Sequence, residues 1–140
     1  MTAVRLVELR ETPLDVAEVV AALDDESSGG LTLFVGRVRD HDGGKAVAGL
    51  DYTAHPTALD TMRAVCERVA AEHDVHGVAA VHRVGTLAIG DVAVVVATTA
   101  AHRGEAFAAS RALIDTLKAE VPIWKHQRFG DGTDEWVGTP

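Results

Sequence analysis

The chain has 140 residues, of which 47% are apolar and 24% charged, and its formal net charge is -8. This composition excludes a disordered chain and predicts one globular domain over residues 1–140, long enough to bury a core. The acidic balance argues against a nucleic-acid-binding protein, because such proteins bind mainly by neutralising phosphates. The single cysteine excludes an intrachain disulfide and fits a reducing compartment.

Membrane insertion and export are not expected from the sequence. The longest apolar run, 92–101, is about half as long as a membrane-spanning helix requires. The N-terminal sequence MTAVRLVELRE alternates and carries charge where a signal peptide needs an apolar core. We therefore expect a cytoplasmic protein without membrane contact.

Hydrophobic periodicity predicts three main helices and a series of short strands. The helices are expected to begin at Pro13, with Thr12 as N-cap, at Pro56, and after Gly104. Strands are predicted at 3–9, 31–39, 47–54, 77–84, 86–89, 92–99, 123–129 and 135–137. The segment 40–45, DHDGGK, is expected to be a mobile loop rather than a tight hairpin.

The order of these elements indicates an α+β fold with a mixed, largely antiparallel sheet. The segment 92–99 has the strongest β-propensity and is expected to be a central strand, buried on both faces. The apolar stripe predicted for the third helix consists of Phe107, Ser110, Ile114 and Leu117.

Two lysines flank a break in the sequence LIDTLKAEVPIWKHQ. The helix that carries Lys118 must end before Pro122, because proline lacks an N–H and its ring clashes one turn back. Lys125 then lies past the corner, on an extended segment. Most lysines only solubilise a surface, but Lys118 borders the apolar stripe and Lys125 follows Trp124. We expect the two lysines to converge on a pocket for an anionic or carbonyl-bearing ligand, where a desolvated lysine can act as base or nucleophile.

Further cationic side chains are candidates for the same pocket. Arg37 and Arg39 share one predicted strand face, where they form either a solvated strand end or paired donors to a phosphate or carboxylate. His102-Arg103 precedes the third helix, whose N-terminal N–H groups favour anions, although a surface capping pair is an equal alternative. Together with the lysines, these residues predict one anion pocket built of Arg, His and Lys.

Other reactive residue types give no sign of a site. Cys66 lies on a helical apolar stripe and is expected to be a core residue rather than a nucleophile. His82 is expected to be a hydrogen-bonded structural residue. The histidines have no metal-site spacing, and the sequence contains no P-loop, dinucleotide fingerprint or G-x-S-x-G motif, so no metal or cofactor is expected.

Five motifs coincide with a known family. FVGRVRDHDGGKAVAGLDY, VHRVGTLAIGD, AHRGEAF, LIDTLKAEVPIWKHQ and DEWV resemble, in this order and spacing, the large catalytic subunit of molybdopterin synthase. The resemblance implies an α/β hammerhead fold and a central homodimer, with a small ubiquitin-like sulfur carrier at each end of a heterotetramer. It also implies that sulfur passes from the carrier's C-terminal Gly-Gly thiocarboxylate to cyclic pyranopterin monophosphate, which gains the dithiolene of molybdopterin.

The resemblance also implies roles for the basic residues. Lys118 and Lys125 match the family's essential lysines, which we expect to act catalytically through charge and proton transfer. Whether either lysine forms a covalent acyl intermediate stays open, as does the order of the two sulfur transfers. The matching substrate-binding positions are Arg39, His102 and Arg103, followed by Arg37.

Two replacements depart from the family pattern. Gln127 stands where a glutamate is usual, and Thr53 follows Tyr52 where the family usually has a second glutamate. We expect these changes to remove carboxylate partners from the basic cluster. They leave an alternative function open, a non-catalytic paralogue of the same fold that binds the carrier or a pterin phosphate. The retained basic residues favour the enzyme.

Overall fold

The computed structural model describes residues 3–138, which form three helices and nine strands. The strands are β1 (Val4–Arg10), β2 (Gly30–Arg37), β3 (His41–Asp42), β4 (Lys45–Ala54), β5 (Gly77–Arg83), β6 (Gly85–Leu87), β7 (Val92–Ala100), β8 (Ile123–Phe129) and β9 (Asp134–Val137). The helices are α1 (Val16–Ala22), α2 (Ala58–Glu72) and α3 (Arg103–Glu120). Three helices with mixed, mostly antiparallel sheets confirm the predicted α+β fold.

The first sheet has the strand order β1-β5-β7-β2, in which only the β1–β5 pair is parallel. β7 lies between β5 and β2 and is buried from Ala93 onward, as its β-branched sequence predicts. Period two sends its side chains to opposite faces. Val94 and Val96 pack with α2 and α3, whereas Val95 and Ala97 pack with α1. Full burial of each such valine contributes about 1.5–3 kcal/mol.

The second sheet places the candidate site. It has the order β3-β4-β8-β9, and β6 pairs with β4 at its side. β4 and β8 pair along most of their lengths, which sets Tyr52 opposite Lys125. Val38, Leu50 and Leu87 form a small cluster with Ala93 of β7, so the two sheets are joined by packed side chains.

Two predicted local structures were wrong. The segment 40–45 forms a tight hairpin, in which His41 and Asp42 pair with Ala46 and Lys45. Positive φ angles at Gly43 (58°) and Gly44 (81°) permit the two-residue turn, since such turns need left-handed backbone at both central positions. β2 ends at Arg37 instead of residue 39, because its register with β7 shifts after Gly36 and the Val38 N–H binds the carbonyl of Asp91.

Two helix predictions also need correction. α1 begins at Val16 with Asp15 as N-cap, and not at Pro13 with Thr12. The Phe107 side chain is 61% exposed, so it does not belong to the buried stripe of α3. The buried positions of α3 are Ala106, Ala109, Ser110, Leu113 and Leu117. Phe107 directly follows the buried Ala106, so the helical repeat of 3.6 residues places it on another side of the helix.

Replacing Asp15 with alanine should lower the free energy of unfolding by about 1 kcal/mol. The Asp15 carboxylate accepts hydrogen bonds from the backbone N–H of Ala17 at 3.0 Å and of Glu18 at 3.4 Å. Denaturant unfolding followed by circular dichroism measures the change. Thr12→Ala is the matched control and should change stability by less than about 0.5 kcal/mol. A larger loss of stability in Thr12→Ala than in Asp15→Ala would show that Thr12 is the N-cap.

Cys66 is part of the core. Its side chain is buried among Met62, Val65 and Val69 of α2, and burial raises the pKa of the thiol to about 12. A thiol with this pKa is protonated near neutral pH and is therefore a poor nucleophile. Within residues 3–138, no helix is long and apolar enough to span a membrane.

Candidate active site

A cavity opens where the C-terminal end of α3 meets β4 and β8. Its volume is about 270 Å³. We call it the lysine cavity, and it is lined by Tyr52, Met62, His82, Val94, Ile114, Leu117, Lys118, Val121, Ile123, Lys125, Val137 and Gly138. Most of these side chains are apolar, and the cationic groups among them are the two lysines. Such a lining strengthens the attraction between a lysine and an anion, because little water competes.

The corner at Pro122 brings the two lysines together. α3 ends at Glu120, before Pro122 as predicted, and its last turn contains Lys118. The chain then turns at Val121 and enters β8 at Ile123, which places Lys125 across the same cavity. The predicted convergence of Lys118 and Lys125 is therefore confirmed as a feature of the fold.

The two lysines have different environments. Lys118 is exposed at the rim of the cavity, whereas Lys125 is partly buried. Burial lowers the pKa of Lys125, and the charges of Lys118 and Arg39 lower it further, while the carboxylate of Asp42 opposes these effects. Lys125 thus loses its proton more readily than a lysine in water.

His82 and Tyr52 form the polar part of the cavity wall, and neither was predicted as a site residue. Nδ1 of His82 lies 2.7 Å from the carbonyl oxygen of Arg83, so this nitrogen carries the hydrogen and donates it. Nε2 is then the unprotonated nitrogen. Burial lowers the pKa of His82 to about 4, which keeps the ring neutral at pH 7. The Tyr52 ring meets it edge-on at 4.9 Å between centroids. His82 shares its strand face with Val78 and Ala80 of the core, and this period-two pattern could have placed it here.

A narrow niche of about 50 Å³ adjoins the lysine cavity and shares Tyr52 and Lys125 with it. The other residues that line the niche are Arg37, Val38, Arg39, His41, Asp42, Leu50 and Gln127. The Arg39 guanidinium is largely exposed and lies 3.6 Å from the Asp42 carboxylate. Arg37 donates from Nε to the carbonyl of Gly90 at 3.1 Å. The structure thus brings both arginines close to Lys125, with free N–H groups for an anion.

His102 and Arg103 line neither the lysine cavity nor the niche. The prediction that all the basic residues share one pocket was therefore wrong for a single copy of the chain. His102 is the N-cap of α3 and Arg103 its first residue, fifteen positions before Lys118. At 1.5 Å per residue this separation is about 22 Å. The two residues line a separate depression with Gly29, Ala101, Gly104 and Glu105.

Other carboxylates lie near the basic residues, although the two glutamates of the family pattern are absent. Asp42 faces Arg39 and Lys125 in the niche, and Asp51 pairs with Arg128 at 2.5 Å. Asp51 comes from β4, which pairs with β8, and Asp42 comes from β3, which pairs with β4; both strands lie far from β8 in the sequence. Among residues 3–138, no cluster of three or more His, Cys, Asp or Glu side chains is arranged to hold a metal ion.

The fold and the site define a class, a small α+β protein with an apolar cavity edged by lysines and arginines that suits an anionic ligand. The family model described as MoaE protein matches residues 9–120. The molybdopterin synthase catalytic subunit 1 of Mycobacterium tuberculosis is 45% identical over 131 residues, which cover 93% of this chain and 88% of that protein. The catalytic subunit of Nostoc is 40% identical, with 89% and 77% covered.

Solved structures give the same result. The molybdopterin synthase structure from Staphylococcus aureus superposes with a TM-score of 0.88 at 28% identity, and 95% of this chain and 97% of that chain are covered. The molybdopterin biosynthesis MoaE protein of Burkholderia ambifaria has a TM-score of 0.81 at 34% identity, with 99% and 90% covered. The chain belongs to the MoaE family, that of the molybdopterin synthase catalytic subunits.

Proposed function

We propose that this protein is the catalytic subunit of a molybdopterin synthase and acts as a sulfurtransferase. It takes sulfur from the C-terminal thiocarboxylate of a small ubiquitin-like carrier and places it on cyclic pyranopterin monophosphate, forming the dithiolene of molybdopterin. The observation that supports this function is the pair Lys118 and Lys125 on one apolar cavity. A cytoplasmic location belongs to the same proposal, in keeping with the unpaired, buried Cys66.

The lysine cavity suits the end of the carrier. A Gly-Gly tail has no side chains and fits a narrow apolar passage, and its thiocarboxylate needs a counter-charge inside. Lys118 and Lys125 supply this charge from fixed positions, so little reorganisation is needed when the sulfur attacks the pterin. The lowered pKa of Lys125 also suits it to exchange a proton with the reacting group.

The niche suits the phosphate of the substrate. Arg39 lies at its exposed side, and guanidinium groups bind phosphate oxygens through paired N–H donors. A phosphate held there lies next to Lys125, which lines both the niche and the lysine cavity. Arg37 contributes less, because its Nε already donates to a backbone carbonyl.

A second copy of the chain would complete the site. His102 and Arg103 lie about 22 Å from Lys118 along α3, so one chain cannot bring all the basic residues to one substrate. In a homodimer, the depression of one copy can face the niche of the other. The edge strand β2 offers a surface for this contact, since Leu31, Leu33 and Phe34 are each about 40% exposed. The start of this strand packs directly against Arg103. With a carrier at each lysine cavity, the assembly is a heterotetramer.

Reconstitution tests the function. The purified protein, mixed with thiocarboxylated carrier and cyclic pyranopterin monophosphate, should yield molybdopterin, measured by fluorescence after oxidation. A carrier ending in an ordinary carboxylate is the control and should yield none. A non-catalytic paralogue would bind the carrier or the pterin phosphate without forming product. That result would contradict the proposed enzyme and support a binding protein instead.

A further inference from the structure

Gln127 lines the niche and donates hydrogen bonds to two carboxylates, one of which, Asp42, also lines the niche. Its side chain is only 3% exposed, and its Nε2 lies 2.7 Å from Oδ2 of Asp42 and 3.0 Å from Oε1 of Glu135. Both partners are acceptors, so the amide nitrogen rather than the oxygen must face them. The nitrogen has two hydrogens, and each carboxylate receives one. This hydrogen bond from Gln127 is the main cause that lowers the pKa of Asp42.

The same Asp42 carboxylate faces the cations of the site. Its Oδ1 lies 3.6 Å from the Arg39 guanidinium, and its negative charge raises the pKa of Lys125. Asp42 belongs to the short β3–β4 hairpin, whereas Gln127 lies 85 positions further along the chain on β8. The amide therefore fixes the hairpin carboxylate to the strand that carries Lys125.

Ionisable groups from several elements act on Lys125 or line the space around it, and Arg37 and His41 of the niche are among them. Burial, Lys118 and Arg39 favour the neutral amine, whereas Asp42 and then Glu135 favour the ammonium. His82 and Tyr52 of the cavity wall carry no charge at pH 7, because burial lowers the pKa of the first and raises that of the second. Glu135 is exposed, so its charge is screened by water. Asp42 is therefore the principal group that keeps a proton on Lys125.

We propose that Asp42, held in place by Gln127, is a positioning residue that sets the charge of Lys125 and the orientation of Arg39. The catalytic part of this role rests on the proposed function. The effect of the Asp42 charge on Lys125, called here the electrostatic link, can be measured without any reaction. A glutamate at position 127 would put a third carboxylate beside Asp42 and Glu135 and remove both N–H donors. Exchanging the two groups, with asparagine at 42 and glutamate at 127, restores one N–H···O bond and one negative charge beside Lys125.

Lysine titration by NMR tests the link directly. The 140-residue sequence contains three lysines, Lys45, Lys118 and Lys125, so reductive methylation with ¹³C-formaldehyde gives few signals. Lys125→Arg identifies the signal of Lys125. We expect Asp42→Asn to move the titration of Lys125 to lower pH, and D42N/Q127E to move it back toward the native position. Asp131→Asn is the matched control, because Asp131 pairs with Lys45 at 3.3 Å, and the titration of Lys125 should stay in place.

Activity gives the second readout. Asp42→Asn and Gln127→Glu should each reduce kcat/KM for molybdopterin formation about tenfold, and D42N/Q127E should recover to within about threefold of native. The alkaline limb of the pH profile should move to lower pH in Asp42→Asn, since Lys125 then loses its proton sooner. An unchanged Lys125 titration in Asp42→Asn, or a folded double variant no better than the poorer single one, would overturn the proposal. A native protein that forms no molybdopterin yet shows the NMR shifts would refute the proposed function and leave the electrostatic link standing.

Discussion

Replacing Lys118 with alanine should reduce molybdopterin formation at least a hundredfold while leaving carrier binding nearly unchanged. Lys118 is exposed at the rim of the lysine cavity, so its charge contributes little to the folded state. Under the proposed function, this charge meets the anionic end of the carrier. Removing one preorganised group that stabilises developing charge typically costs about 10²–10³ in rate. Single-turnover assays measure the rate, and isothermal titration with the carrier measures the binding.

Two variants separate charge from packing. Lys118→Met keeps a hydrocarbon side chain of similar length without the charge, so it should be as inactive as Lys118→Ala and as stable to heat as the native protein. Lys45→Ala removes a lysine from the outer hairpin, where it pairs with Asp131, and should retain native activity. Activity within about threefold of native in both Lys118 variants would remove Lys118 from the mechanism.

Mixing two inactive variants should restore activity if the site is shared between two copies. Lys118→Ala and Arg103→Ala each damage one half of every site in their own homodimers. After the subunits exchange, a mixed dimer has one site with both changes and one site with neither. Random exchange then leaves roughly a quarter of all sites intact, so about a quarter of native activity should return. The same assay that measures molybdopterin follows the recovery.

The exchange itself needs a control. Native mass spectrometry of the mixture should show mixed dimers, and a mixture of two Lys118→Ala preparations should stay inactive. Arg111→Ala, which alters an exposed arginine of the same helix, should be active without any partner. Mixed dimers that form without any gain in activity would show that Arg103 does not act on a substrate bound beside Lys118 of another copy.

The sequence predicted those features that depend on neighbouring residues. The β-branched run 92–99 predicted the buried centre of the first sheet, because periodic burial needs no knowledge of distant partners. Pro122 forces a corner by its own covalent structure, and this was enough to bring Lys118 and Lys125 to one cavity. The cationic site near β8 was therefore predictable from one stretch of the chain.

Competing local signals explain the errors in the elements. Thr12-Pro13 and Asp15 both match the start of a helix, and only the backbone path after β1 selects Asp15. The two glycines of the segment 40–45 fit a flexible loop and a tight turn equally well, until β3 pairs with β4.

Long-range pairing explains the errors in the site. The contact between Asp42 and Gln127 depends on the packing of β4 against β8, so the sequence left Gln127 without a visible carboxylate partner. The separation of Arg103 from Lys118 was predictable in principle, since fifteen positions along a continuous helix span about 22 Å. The pattern of charges alone does not include that distance.

A single-turnover titration tests the central claim most directly. A fixed amount of cyclic pyranopterin monophosphate is incubated with this protein and increasing thiocarboxylated carrier, and both molybdopterin and spent carrier are counted. A dithiolene contains two sulfurs, so the account predicts one molybdopterin for every two thiocarboxylates consumed, with no product when Lys118 is alanine. Carrier that binds the protein but keeps its sulfur, or is consumed without forming molybdopterin, would contradict it.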